Sequence, residues 1–335
     1  MAVPPSADVA ALRKAKPRVE RDSVVIRFAG DSGDGMQVAG MQFTNESALA
    51  GNDLATLPDF PAEIRAPAGT LAGVSGFQVN FASHEIFTPG DDLDVLVAMN
   101  PAALRMNIGD LKPNGILIVD KEQFNEQNLK KAGYERNPLE DGTLSEFQIF
   151  PIDISKLTAT TLADTQLPAR TVNRCKNFFA LGVVSWLFQR PIEPTEKWIA
   201  ERFKKRPELV QANQRVLRAG YNFGETTELF SSAYEVKPAS IQPGTYRNLT
   251  GNTALALGLV VAAQKAGRPL FLGSYPITPA SDILHELAAL KQYEVYTFQA
   301  EDEIAAVGAA LGAAFGGAIG VTTTSGPGMC LKAET

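Results

Sequence analysis

The sequence predicts an α/β chain of two consecutive domains, and three observations predict it. Short apolar or β-branched runs alternate with helix-period segments along almost the whole chain, the pattern that builds parallel sheets. Several runs are solidly apolar rather than alternating (Val24–Phe28, Val95–Met99 and Gly115–Val119), as strands covered on both faces are. Residues 226–245 mix Ser, Thr and Pro without a period and separate two such blocks. The resulting division is a flexible tail over 1–22, a first domain over 23–225, a linker over 226–245 and a second domain over 246–335.

The first domain opens with a strand over 23–30, which runs through Gly30-Asp-Ser-Gly33-Asp-Gly35 into a helix over Met36–Ala50. A strand passing through glycines into a helix brings backbone close to a ligand or a neighbouring element. The spacing is G-x-x-G-x-G with no following lysine, so neither a dinucleotide fingerprint nor a P-loop is present. Further segments follow over 59–69, 76–83, 93–104 and 115–121, with a strand over 147–154. A buried helix spans 173–188, where Cys175 reads as a small core residue because no histidine lies near it in sequence. An amphipathic helical region spans 193–225, with Lys204-Lys-Arg206 as its solvated face.

The second domain begins with Gly251-Asn-Thr before an Ala/Leu helix, read as helix packing. Phe271–Gly273 is a strand end, and Tyr275-Pro-Ile-Thr-Pro279 is held out of helix by its prolines. Ser281 is expected to cap a helix carrying Ile283, Leu284, Leu287 and Leu290 at helical spacing. Glu294–Phe298 reads as a strand, Glu301-Asp-Glu303 opens the next helix on its positive end, and Val321–Thr324 is a strand running into Ser325-Gly-Pro-Gly328. In a parallel sheet, ligands sit beyond the carboxyl ends of the strands, and three polar stretches fall there together.

Composition narrows the function classes. A net charge of −6 argues against nucleic acid, which would call for a basic face. Two distant cysteines and two histidines provide no disulfide framework, cluster spacing or histidine-rich metal site. The first residues resemble neither a secretory signal nor an anchor, so a cytoplasmic location is expected. Residues 304–321 are eighteen uncharged residues with Gly308, Gly312 and Gly316 at four-residue spacing, long enough for a membrane span. Their Ala/Gly content and the Gly316-Gly317 pair favour a helix followed by a strand. The small residues would then admit a second helix, in this subunit or across an interface. Thr335 lies inside a fresh helix, so a truncated chain or a portion of a longer one is expected.

Tyr275-Pro-Ile-Thr-Pro-Ala-Ser281, the run from Gln299-Ala-Glu-Asp-Glu303 to Ala313, and Thr322-Thr-Thr-Ser-Gly-Pro-Gly328 resemble the thiamine-pyrimidine domain of 2-oxoacid:ferredoxin oxidoreductases. Residues 23–121, with Glu63-Ile64-Arg65 at their core, resemble the γ domain of the same family. That domain is fused ahead of the α subunit in the 2-oxoglutarate branch, which the sequence resembles most. In this chain Ala66-Pro-Ala-Gly69 follows Arg65, where the family often has paired glycines.

The resemblance implies a γ-type, mostly parallel α/β domain followed by the first part of a thiamine-pyrimidine-binding α/β domain. It implies that Glu303, which fits the family position better than Glu301, hydrogen-bonds N1′ of the aminopyrimidine and favours the imino tautomer that deprotonates C2. It assigns Thr278 to the substrate carboxylate, with Tyr275 and Ser281 as pocket walls. The reaction implied is CoA-dependent oxidative decarboxylation of a 2-oxoacid with electrons passing to ferredoxin. Thiamine diphosphate would be shared with a β subunit that supplies Mg²⁺ and [4Fe-4S] clusters, in a heterotetramer inactive without it. Gly33-Asp34-Gly35 lacks a correctly placed asparagine to complete a diphosphate motif, and no metal ligand is assigned to this chain. Pyruvate or branched-chain 2-oxoacids remain as alternative substrates, and a non-catalytic scaffold as an alternative class.

Overall fold

The computed structural model describes residues 16–31, 33–60 and 73–335, in two compact units that meet in sequence at Pro243 and Gly244. Glu63-Ile64-Arg65, Ser32 and the first fifteen residues of the expected tail lie outside the described residues.

In the first unit β1 (Arg18–Glu20) and β2 (Ser23–Asp31) lead into α1 (Met36–Leu49), β3 (Asp53–Asp59), β4 (Val74–Ala82) and β5 (Leu93–Ala98). Then come α2 (Pro101–Asn107), β6 (Leu111–Asp120), α3 (Glu126–Lys131), β7 (Gln148–Ile152), α4 (Ile154–Thr161) and α5 (Ala169–Arg174). The unit finishes with α6 (Lys176–Leu187), α7 (Glu193–Arg202), α8 (Pro207–Thr226) and β8 (Ala233–Glu235). Six strands form one sheet in the order β3-β4-β2-β5-β6-β7, parallel from β2 to β7 and antiparallel at β3 and β4.

The solid apolar runs are explained by two separate cores. Ile26, Phe28, Val95, Val97, Ile116 and Ile118 pack with α1 and α6 on one face, while Ala29, Leu96, Ala98, Leu117 and Val119 pack with α2 on the other. Strand period two with both faces covered favours apolar residues throughout; Arg27 of β2 is the exception in these runs, hydrogen-bonded to Gln78 and Asn107 and paired with Asp110. Where the sheet turns antiparallel the second face becomes polar. Gln78 and Asn80 of β4 donate to the carbonyls of Pro89, Gly90 and Thr88.

Two expectations change in detail. The expected helix over 173–188 divides at Cys175, which is 2% exposed and whose thiol burial pushes up to about 11, consistent with an inert core residue. Residues 226–236 do not behave as linker: Phe230, Ala233 and Val236 are buried in the first core, and β8 pairs in parallel with β1 inside the expected tail.

One buried charge is costly. The Glu46 carboxylate of α1 is fully buried, accepts hydrogen bonds of 2.6 Å from both Ser185 and Thr195, and is pushed by burial up to about 7. Buried Arg190 nearby has its guanidinium over the Phe81 ring and leaves Nε and Nη2 without partners. The unfolded carboxyl titrates near 4.5, so between that pH and about 7 the native state binds more protons than the unfolded state. The associated stability is fully present below about pH 4.5, falls as pH rises, and is gone above about 7, a span on the order of 3 kcal/mol. Glu46→Gln should flatten this slope in urea titrations at pH 5 and pH 8. Fluorescence of Trp186 and Trp198, the only two tryptophans, reports on this unit alone. An unchanged slope would show that Glu46 does not titrate there.

The second unit comprises α9 (Gly251–Ala266), β9 (Leu270–Ser274), α10 (Ser281–Ala288), β10 (Val295–Gln299), α11 (Glu303–Phe315), β11 (Ile319–Thr322) and α12 (Gly328–Lys332). Its parallel sheet has the order β10-β9-β11. Leu270 and Leu272 pack with Ala256, Val260 and Ala263 of α9 and with Ile283, Leu284 and Leu287 of α10. The apolar run 304–321 resolves into α11, a Gly316-Gly317 turn and β11. Among the described residues no helix is long and apolar enough to cross a membrane. Gly308 and Gly312 have open space where a Cβ would sit, so within this unit they admit no second helix.

Candidate functional site

The register of the three strands places the site. Ser274 pairs with Gln299 and Thr322 with Gly273, so the carboxyl ends of β9, β10 and β11 leave the sheet on one side. The segments after them, 275–280, 300–302 and 323–327, are the three polar stretches singled out in the sequence.

Glu303 is the first residue of α11, half-buried, behind an Asp302 N-cap whose carboxylate accepts from Ala305 N at 2.8 Å. The cap satisfies one of the orphan amides of the first turn and leaves the Glu303 side chain free to point elsewhere. The helix itself is fixed by backbone contact. A Cβ on Gly273 would stand 2.3 Å from the Ala306 carbonyl, and one on Gly320 2.1 Å from that of Ala310. Only glycine allows α11 to lie this close to β9 and β11, and that contact sets where Glu303 is presented.

Around it, Tyr275 is 5% exposed and its hydroxyl lies 2.7 Å from that of Thr324. Burial pushes the phenol up; Thr324 opposes this, while the nearby Glu303 carboxylate adds to it. Ser274 and Thr323 hydroxyls meet at 3.1 Å. Thr278 is exposed at the crown of the proline turn, its side chain open to solvent.

Ser281 differs from its expected role. It is the first residue of α10 rather than the cap, and its hydroxyl accepts from Ile277 N and donates to Ile277 O, both at 3.0 Å. It therefore ties the turn to the helix. Asn252, read from sequence as helix packing, donates to the Pro279 carbonyl at 3.1 Å and holds the same turn from α9. Lys332 escaped the sequence reading altogether. Its ammonium donates to Thr322 Oγ1 at 2.7 Å and to the Thr323 carbonyl at 3.2 Å, within electrostatic reach of Glu303. A lone lysine in a five-residue helix has no period to betray it.

The Gly30–Gly35 turn of the first unit is closed on its own carboxylates. Asp34 accepts from Asp31 N at 3.0 Å and pairs with buried Lys176 at 2.8 Å, and Asp31 is pushed up by burial and by Asp34. Two carboxylates against one ammonium make a poor cradle for an anion.

A parallel sheet offering a helix-borne glutamate beside a proline turn has the form of a thiamine-binding domain. Residues 262–335 match the family model described as pyruvate flavodoxin/ferredoxin oxidoreductase, thiamine diphosphate-binding, and residues 25–223 match that of pyruvate ferredoxin/flavodoxin oxidoreductase. The chain belongs to the pyruvate ferredoxin/flavodoxin oxidoreductase family. It is 56% identical over 330 residues to the 2-oxoglutarate oxidoreductase subunit KorA of Mycobacterium tuberculosis, covering 98% of this chain and 50% of that relative. It is 26% identical to the 2-oxoacid:ferredoxin oxidoreductase subunit alpha of a Sulfolobus species, covering 92% and 50%. Among solved structures, 2-oxoglutarate:ferredoxin oxidoreductase from Magnetococcus marinus, with 2-oxoglutarate, coenzyme A and succinyl-CoA bound, superposes with a TM-score of 0.67 at 28% identity. That match covers 93% of this chain and 49% of the other. The chain spans about half the length of the curated relatives it matches.

The residues present fit one end of thiamine diphosphate. The aminopyrimidine requires a carboxyl group held at a fixed point, and Glu303 on a helix locked to its sheet provides one. For the diphosphate end, no group of three or more His, Cys, Asp or Glu among the described residues is placed to hold a metal ion.

Proposed function

We propose that this chain is the fused γ–α portion of a 2-oxoglutarate:ferredoxin oxidoreductase α subunit. The enzyme would convert 2-oxoglutarate and CoA to succinyl-CoA and CO₂, with electrons passing to ferredoxin. The observation behind the reading is the placement of Glu303 at the fixed start of α11, at the strand ends shared with the Tyr275–Pro279 turn. The 56% identity to the M. tuberculosis subunit supports 2-oxoglutarate over pyruvate or branched-chain acids. A scaffold would have no use for a half-buried carboxylate in that position.

Thiamine diphosphate, when bound, supplies the electron sink for decarboxylation. Glu303 would hold N1′ of the ring through its carboxyl group, sharing with it the proton that the imino tautomer carries there, and its fixed helix would keep that contact without reorganisation. Thr278, exposed on the turn, donates its hydroxyl to the substrate carboxylate, and Tyr275 forms a wall beside it. Ser281 and Asn252 keep the turn in shape. A β partner contributes the diphosphate and Mg²⁺ site and the [4Fe-4S] clusters, in a cytoplasmic heterotetramer of two α and two β chains.

The test is to co-express the complete α chain with its β partner and assay CoA-dependent viologen reduction. Turnover should require both subunits and CoA, with kcat/KM for 2-oxoglutarate about tenfold or more above that for pyruvate or branched-chain 2-oxoacids. A preference for another 2-oxoacid would reassign the substrate. No turnover with any of them, in a folded complex, would return the chain to the scaffold class.

A further inference from the structure

Lys332 is a buried ammonium for which the proposed chemistry has no use. It is 7% exposed, and burying a charge of this kind is costly unless its surroundings compensate. Two of its three donors are taken by Thr322 Oγ1 and the Thr323 carbonyl, which anchor it to the end of β11. Its nitrogen also lies 5.4 Å from the centre of the Tyr275 ring, a cation–π placement. That ring carries the hydroxyl that meets Thr324, and it packs against Ala300 and Ala306, which flank Glu303 in the lead-in and first turn of α11. Packing around the hydroxyl pair is closed: a Cβ on Gly328 would stand 2.9 Å from the Tyr275 hydroxyl and closer still to that of Thr324.

We propose that Lys332 is a positioning residue for Glu303. Its ammonium, pinned to β11 and lying over the Tyr275 ring, holds the Tyr275–Thr324 hydroxyl pair against the carboxylate and sets how strongly that carboxylate holds the proton it shares with a bound aminopyrimidine. This rests on the assignment of Glu303 to the N1′ contact.

The charged surroundings are few. Glu303 and the exposed Asp302 and Glu301 belong to α11 and its lead-in, Lys332 to α12, and Tyr275 follows β9. The three strands themselves bear no charged side chain. Burial lowers the Lys332 ammonium, and the nearby Glu303 partly restores it, so the two groups sense each other. A cation beside a carboxylate weakens its pull on a shared proton and also repels a protonated ring; a hydroxyl donating to the carboxylate weakens the pull as well. All three effects lower the pH at which the ring at N1′ is half-protonated. A lysine that only closed the end of β11 would leave that midpoint unchanged.

The measurement uses the complete α chain with its β partner, loaded with thiamine diphosphate in the absence of any 2-oxoacid. Circular dichroism of the aminopyrimidine tautomers is followed against pH. Lys332→Met should raise the midpoint by about one unit, and Lys332→Arg, which keeps the charge, should return it to within a few tenths. Tyr275→Phe should raise it by a smaller amount, and this variant decides the matter should Lys332→Met fail to assemble. Glu303→Gln should abolish the titration. If Glu303→Gln does so but Lys332→Met and Tyr275→Phe leave the midpoint unmoved, Lys332 has only a structural role and the proposal is wrong. If the titration survives Glu303→Gln, the N1′ assignment itself is wrong.

Discussion

Glu303→Gln should cost the assembled enzyme on the order of 10²–10⁴-fold in kcat, the range associated with a removed acid–base group. Glutamine fills the same volume and can still donate an amide hydrogen bond to N1′, but it can neither give the ring a proton there nor take it back. The fold should not notice. The helix is capped by Asp302, and its position is set by the backbone contacts of Gly273 and Gly320, none of which involves the Glu303 side chain. The melting temperature should therefore fall by no more than a few degrees, the cost of removing one charge near the buried Lys332. Glu301→Gln is the matched control, because Glu301 is exposed and caps nothing that the structure shows. Steady-state turnover of both variants decides the assignment. Loss in the Glu301 variant with full activity in the Glu303 variant would exchange their roles.

The site was legible wherever local pattern determined it. Short strands and helices alternating over 270–324 implied a parallel sheet, and parallel strands deliver their carboxyl ends to one side whatever their order. The Glu301–Glu303 stretch could thus be set at the strand ends without knowing that β9 lies between β10 and β11, whereas the choice of Glu303 over Glu301 rested on the family resemblance. What escaped was set by individual side-chain contacts that no periodicity encodes. Ser281 has the composition of a cap, but the proline turn bends back so that its hydroxyl reaches Ile277, four residues earlier. Asn252 reaches across to the proline turn and Lys332 turns back onto the end of β11, and neither leaves a periodic trace. In the first unit, the two solid cores were readable from apolar runs, whereas β8 was not. Its three residues pair with three near the chain start, too few for a pattern and joined only by long-range closure. The antiparallel edge was hidden for a related reason: β4 alternates Phe77, Val79 and Phe81 with Gln78 and Asn80, which fixes a face but not a direction.

Gly182→Ala and Gly220→Ala should each destabilise the first unit by about 3 kcal/mol, at the upper end of the usual cost of overpacking a core. The two glycines face each other where α6 crosses α8. A Cβ on Gly182 would lie 2.2 Å from the Leu217 carbonyl, and one on Gly220 2.1 Å from that of Phe179. Both obstacles are backbone atoms inside helices and cannot rotate aside, so the helices must separate. Separation strains the core they share, where Phe178, Phe179, Val183, Trp186, Val216 and Leu217 pack together. Alanine is otherwise the better helix former, by roughly 1 kcal/mol over glycine, so a net loss isolates the steric contribution. Gly109→Ala supplies the comparison: a Cβ there meets nothing within 4 Å, and stability should change by no more than about 0.5 kcal/mol. The double variant should cost clearly less than the sum of the two single ones, because helices already moved apart by one methyl group make room for the second. Urea denaturation monitored by Trp186 and Trp198 fluorescence reads all four variants. Additive losses would mean that the two contacts yield independently, and losses under about 1 kcal/mol would mean that the helices are not held at this separation in solution.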